Sequence, residues 1–169
     1  LAVCVGGKTP VQHWPESSWK ILLERLAVFY PKMRFLFLGD KNDAALRARL
    51  CGGVLPNRSV SLGAETGLSV RTSVLLLAKC GGYVGHDTGT IHIAAAADIP
   101  CVGIYSAHDY KNHWYPRCGN ASVLRGEVPC EVCRLGVCPK KSDGEGAVCL
   151  DKISPDEVFE AVEKKIICA

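Results

Sequence analysis

Short apolar runs and longer amphipathic stretches alternate along this chain. The apolar runs, rich in aliphatic and β-branched residues, fall at Leu1–Val5, Arg34–Leu38, Ser59–Leu62, Gly82–Val84, Cys101–Tyr105 and Ser122–Leu124. Helix-like stretches lie between most of them. The first opens at Trp14-Pro15-Glu16, where proline is tolerated in an opening turn and glutamate suits the positive end of the dipole. Its apolar residues Trp19, Leu22, Leu23, Leu26 and Tyr30 share one helical face. Further helices are expected at Asp43–Leu50, Gly67–Cys80, Thr90–Ala97 and Ser154–Ile166. Strand and helix repeated at this spacing predict a three-layer α/β domain, Rossmann-like, with a parallel sheet of about six strands and right-handed crossovers. A Cys-rich segment, 127–150, breaks the alternation and reads as an excursion from the same domain.

Composition narrows the picture. With 169 residues, 48% hydrophobic and 22% charged, the chain suits a single globular domain over 1–169. A net charge of +3 is too small to argue for nucleic acid. No apolar run approaches a membrane span and no signal peptide is visible. Leu1–Val5 is strand-like from the first residue, with no initiator Met, and implies a fragment cut at a domain boundary. Helix and strand signals this dense argue against a secreted disulfide scaffold, so the ten cysteines read as thiols of a cytosolic protein.

Candidate chemistry sits where runs end. Asp87-Thr88-Gly89 has the look of an aspartic-protease loop, but no second copy exists, and it follows a strand and opens a helix in an α/β pattern. That is the carboxyl edge where open parallel sheets bind ligands. Gly89 admits close backbone approach, and the helix start attracts anions. Asp87 would either accept hydrogen bonds from sugar hydroxyls or cap the helix. His92 lies in the first turn. Gly6-Gly7-Lys8-Thr9 follows the first strand and could hold phosphates, although Walker spacing is absent. Asp40 and Asp43 follow the second strand, where an acid commonly grips a ribose.

Taken in order, the motifs are the Gly-rich loop, Trp14-Pro15, Leu38-Gly39-Asp40 and Val84-Gly85-His86-Asp87-Thr88-Gly89 with His92 and its alanines. Ile99-Pro100-Cys101, Tyr115-Pro116 and the cysteine spacing complete the set. Together they resemble the C-terminal domain of the heptosyltransferases, glycosyltransferase family nine. The resemblance implies the donor half of a two-domain GT-B enzyme that performs inverting transfer from a nucleotide sugar, usually ADP-heptose, to a lipopolysaccharide-type or other glycan acceptor. It implies that Asp87 binds the donor sugar, that Lys8, Thr9, Thr88, Gly89 and His92 bind the diphosphate, and that Asp40, Gly63 and Thr66 flank the nucleoside. The family acid at the ribose aligns with either Asp40 or Lys41. Gln12 stands where the family usually has a lysine that neutralises the leaving diphosphate. The base would belong to an N-terminal acceptor domain absent here, leaving this chain alone inactive. The family works at the cytoplasmic face of the inner membrane and needs no cofactor for transfer.

Cys130-x2-Cys133-x4-Cys138-x10-Cys149 offers four thiols to a structural zinc or iron, but lacks a second Cys-x2-Cys step. Two other readings stay open. One is a donor domain for a different nucleotide sugar, such as a UDP-sugar. The other is a metal-binding interaction module with a vestigial cleft.

Overall fold

The computed structural model describes residues 1–168. Strands β1 (Ala2–Cys4), β2 (Phe35–Gly39), β3 (Ser59–Gly63), β4 (Tyr83–His86), β5 (Cys101–Tyr105) and β6 (Ala121–Arg125) form one sheet. All pair in parallel, in the order β3-β2-β1-β4-β5-β6. The expected Rossmann-like α/β architecture is therefore the one observed, and each predicted run supplies a strand. The chain reverses its direction of travel across the sheet between β1 and β4. This is the switch point, where strand ends leave a crevice.

Alternation of side chains across the pleat builds two cores. Val3, Phe35, Phe37, Val84 and Ile104 bury against α1 (Glu16–Phe29), α2 (Ala44–Val54) and α5 (Pro155–Val162). Ala2, Cys4, Leu38, Tyr83 and Tyr105 turn the other way, toward α3 (Val70–Leu77) and α4 (Gly89–Ala96). Helix α3 starts later than periodicity suggests. Gly67 takes φ +73° and Ser69 caps the Thr72 N–H, so regular helix begins only at Val70. Helix α5 opens with Pro155 behind a reciprocal Ser154–Glu157 cap and ends in a widened turn, Glu163–Ile167. Among the described residues no helix is long and apolar enough to cross a membrane.

No helix joins β5 to β6. The connection is a loop, 106–120, and the Cys-rich excursion folds behind it. Val132 and Arg134, both with left-handed backbone (φ 57° and 55°), donate their N–H groups to the carbonyls of Ala107 and His108 at 2.8 Å. A β-branched residue with positive φ carries strain of about 1–2 kcal/mol, tolerated only where surrounding contacts dictate the conformation. Arg125 adds bonds to the carbonyls of Ala107 (3.3 Å) and Asp109 (3.1 Å). The excursion thus braces this loop.

Candidate functional site

A cleft of about 820 Å³ opens along the carboxyl ends of the strands. Gly6, Gly7 and Lys8 line it after β1, Asp40 and Asn42 after β2, and Asp87, Thr88, Gly89, Thr90 and His92 after β4. Leu68 and Val70 wall the β3 end, and Trp114 from the loop 106–120 stands at the other. A groove of similar size, about 840 Å³, lies at the opposite end of the sheet among Leu1, Phe29, Met33 and Leu36. It is lined mainly by apolar side chains and faces the amino ends of the strands. The convergence of an acid, a cation and a helix start makes the first cleft the candidate site.

The floor is held by a buried histidine. His86 is fully buried, and its Nδ1–H donates to the Gly6 carbonyl at 2.9 Å, while Nε2 accepts the Trp14 N–H at 3.0 Å. The end of β4 is thereby tied both to the β1 loop and to the turn that enters α1. Burial, with a smaller push from His13 against the opposing pull of Gly6, drives its pKa down to about 3. The imidazole is neutral at physiological pH. Trp14 also anchors to the Ile153 carbonyl at 2.9 Å, linking the site to α5.

Asp87 is half-buried. Burial first, and then the Asp109 carboxylate, raise its pKa to about 6, with His113 opposing. Gly89 begins α4, and a Cβ placed on it would meet no protein atom within 4 Å. Thr88, Gly89 and Thr90, at the start of α4, line the cleft, and a helix start attracts anions. Lys8, exposed, is the one lysine or arginine lining the cleft among the described residues. The Thr88 and Thr90 hydroxyls rest near the Cys4 sulfur at 3.7 and 3.9 Å.

Three of the expected site residues stand back from the cleft lining. The Thr9 hydroxyl and N–H both donate to the Gln12 side chain. The Thr66 hydroxyl closes on the Gly63 carbonyl at 2.7 Å. Gln12, noted only for a missing charge, is a lining residue with three hydrogen bonds. Arg47, inside the helix expected at Asp43–Leu50, is fully buried. It bonds the Asp40 carbonyl (2.6 Å), the Ser61 hydroxyl (3.1 Å) and the Glu65 carboxylate, joining the ends of β2 and β3. Asp43 packs against Gly6, where any side chain would collide with its carboxylate. Trp114 was also missed. Its only signal was the aromatic run His113-Trp114-Tyr115 in a loop.

The four cysteines proposed for a metal do not converge. Cys138 and Cys149 are buried and Cys133 is exposed. The Cys149 sulfur accepts the Ala107 N–H at 3.2 Å. Among the described residues no three His, Cys, Asp or Glu side chains are grouped to hold a metal ion. Cys149 thus braces the loop 106–120.

Residues 1–142 match the sequence profile described as glycosyltransferase family 9 (heptosyltransferase). Lipopolysaccharide heptosyltransferase 1 of Pseudomonas aeruginosa is 26% identical over 167 residues, 92% of this chain and 45% of that protein. The ADP-heptose lps heptosyltransferase II of E. coli superposes with a TM-score of 0.77 at 19% identity, covering 99% of this chain and 46% of its own. The iron-containing dodecameric heptosyltransferase TibC of enterotoxigenic E. coli, solved in complex with ADP-D-beta-D-heptose, gives 0.68 at 14%, covering 96% and 43%. The chain therefore spans about half the length of the relatives it matches.

Proposed function

The chain belongs to glycosyltransferase family 9, the heptosyltransferases, and from that premise we propose that it binds a nucleotide-diphosphate sugar, ADP-heptose, as the donor half of an inverting glycosyltransferase. The observation that carries this is the meeting of Asp87, the open start of α4 at Gly89 and the Lys8 ammonium in one cleft at the switch point. The strand order gives the ligand a direction. The nucleoside lies toward β2 and β3, beside Leu68, Val70 and Asp40. One Asp40 oxygen accepts the Asn42 N–H at 3.0 Å, and on this reading the carboxylate also receives a ribose hydroxyl. Gly63 and Thr66 shape that end from outside the lining. The diphosphate lies over Gly6, Gly7, Lys8, Thr88 and Gly89, with His92 and Thr9 supporting its loops. The sugar reaches Asp87.

In the reaction, an acceptor hydroxyl oxygen attacks the anomeric carbon, the bond to the diphosphate oxygen breaks, and the nucleoside diphosphate leaves with the electron pair. A base from the acceptor-binding half takes the hydroxyl proton. This chain supplies the complementary part. Lys8 and the α4 N–H groups stabilise charge growing on the leaving group, and Asp87 orients the sugar. Transfer so described proceeds without a cofactor. The acceptor is a lipid-linked or protein glycan, met at the cytoplasmic face of a membrane.

Calorimetric titration with ADP-heptose, ADP and UDP tests the reading. Saturable binding of ADP-heptose and ADP, with the sugar's added affinity lost in Asp87→Ala, supports it. Preference for UDP would replace adenine with uracil, and retention of full affinity in Asp87→Ala would overturn the role of that carboxylate.

A further inference from the structure

The β6 side of the cleft holds a feature that the donor reading does not use. Trp114 is 51% exposed and lines the cleft, yet it is fixed at both ends. Its indole N–H donates to the Asp109 carboxylate at 3.0 Å, and its carbonyl accepts the hydroxyl of buried Tyr105 at 2.8 Å. The His113 ring stacks on it at 4.7 Å, nearly parallel, and itself bonds Asp109 at 3.3 Å. Asp109 is held in turn by the Tyr110 N–H and, through its carbonyl, by Arg125. Behind these contacts stand Val132, Arg134 and Cys149, each bonded to the backbone of the same loop.

An exposed tryptophan so thoroughly immobilised needs a reason. Its polar handle is already satisfied by Asp109, so what it offers a ligand is ring surface, not a hydrogen bond. One indole face is covered by His113. Asp87 lines the same cleft as Trp114. A pyranose ring has just the complementary halves, a rim of hydroxyls and a face of C–H groups. Order in the sheet agrees. With the nucleoside over β2 and β3 and the diphosphate over β1 and β4, the next group along the ligand arrives at the loop after β5.

We propose that Trp114 is the platform for the C–H face of the transferred sugar, while Asp87 takes its hydroxyl rim. The inference rests on the donor reading above. On this view the Cys-rich excursion has a mechanical purpose. It holds the loop 106–120 rigid so that the platform is formed before the ligand arrives and no ordering is needed on binding.

The test compares the chain with Trp114→Ala, Trp114→Phe and Asp109→Ala, using ADP and ADP-heptose as probes. Trp114→Ala should weaken ADP-heptose about tenfold and leave ADP within about twofold. Phenylalanine should restore most of the loss, and Asp109→Ala, which frees the ring without removing it, should reproduce part of it. Trp14 and Trp19 are buried, so quenching of tryptophan emission by ADP-heptose but not by ADP should vanish with Trp114. An unchanged ratio of the two affinities in Trp114→Ala, with wild-type binding intact, overturns the platform and leaves the donor reading standing. Equal weakening of both probes also overturns it, because the ring would then serve the nucleotide or the fold. Failure of the wild-type chain to bind either probe removes the donor reading and the platform with it.

Discussion

The Gln12 amide nitrogen donates to the backbone carbonyl of Asp87 across 3.1 Å, joining residues 75 apart in the chain. Its oxygen accepts from the Thr9 N–H at 3.1 Å and the Thr9 hydroxyl at 3.2 Å. One neutral side chain therefore stitches the loop after β1 to the loop after β4, on the floor where the diphosphate is proposed to lie. A lysine there could reach the Asp87 carbonyl but has no acceptor for Thr9. Gln12→Ala should weaken ADP-heptose binding about tenfold, the scale of one or two lost hydrogen bonds. Gln12→Lys should tighten ADP and steepen its salt dependence while loosening the loop at Thr9. Titrations at two ionic strengths check this, and an unaltered salt dependence in Gln12→Lys would put the diphosphate out of reach of this position.

Gly89 separates the demands of the fold from those of the ligand. No protein atom lies within 4 Å of the Cβ it lacks, so folding does not require glycine there. It opens α4, where alanine is favoured over glycine by up to about 1 kcal/mol. Gly89→Ala should leave the melting temperature unchanged or slightly raised. If the diphosphate packs on this backbone, the same methyl should reduce ADP affinity about tenfold. Undiminished affinity would move the phosphates off the start of α4.

These two residues also mark how far the sequence could be read. Strand, loop and helix follow one another so regularly that the carboxyl edge of the sheet, and with it Lys8, Asp87 and Gly89, was legible from local pattern. Each sits at a junction that the pattern names. Side chains that act across loops were not legible. Thr9 looked like a phosphate ligand until Gln12 engaged its hydroxyl, and Gln12 looked like a deletion of charge until its reach to Asp87 was seen. Arg47 carries no local signal of its role, yet its guanidinium bonds the Asp40 carbonyl and the Ser61 hydroxyl at two strand ends. Trp114 lies in a loop without periodicity, where only tertiary contacts decide whether an aromatic is surface or site. The arrangement of the cysteines was not legible for a related reason. Spacing along the chain does not say which way a thiol turns, and that of Cys149 turns to a backbone N–H.

Asp87 should make sugar binding pH-dependent in the physiological range. Burial and the neighbouring Asp109 place its pKa at about 6, above the ordinary carboxylate value. Ionised, Asp87 is a pure acceptor for sugar hydroxyls at both oxygens; protonated, one oxygen becomes a donor and the acceptor strength falls. The affinity gained from the sugar, read as the ratio of ADP-heptose to ADP binding, should therefore rise with pH through about 6 and level off above it. Asp109→Asn removes a like charge and should move the midpoint down, with an acceptor oxygen kept for Trp114. His113→Ala removes a favourable partner and should move it up. A raised carboxyl pKa also means that the folded state resists ionisation. The stabilising contribution is complete below about pH 4 and is lost as pH rises through 6. Asp87→Asn should accordingly unfold at a higher temperature than wild type at pH 7.5 while losing the sugar's contribution to binding. A pH-independent affinity ratio in the wild-type chain would exclude Asp87 as the hydroxyl acceptor.

His86 carries the opposite sign. With Nδ1–H given to Gly6 and Nε2 receiving the Trp14 N–H, neither nitrogen has room for a second proton without breaking a bond. Its pKa of about 3 in the fold contrasts with about 6.5 in an unfolded chain. Between these values the unfolded state takes up a proton that the folded state refuses. Stability should therefore fall as pH drops below 6.5, by about 1.4 kcal/mol per pH unit, and this loss should flatten near pH 3. Above pH 6.5 the group contributes no slope. Carboxylates titrate in the same range, so the decisive quantity is a difference. Denaturant unfolding of wild type and His86→Gln at pH 7.5, 6, 5 and 4 should show the variant weaker at pH 7.5, because the β1 loop and the entry to α1 lose their shared anchor. Its stability should then decline less steeply with acid, by about one proton's worth. Parallel declines would mean that the buried ring accepts its proton without unfolding, and that the bond to Trp14 opens instead.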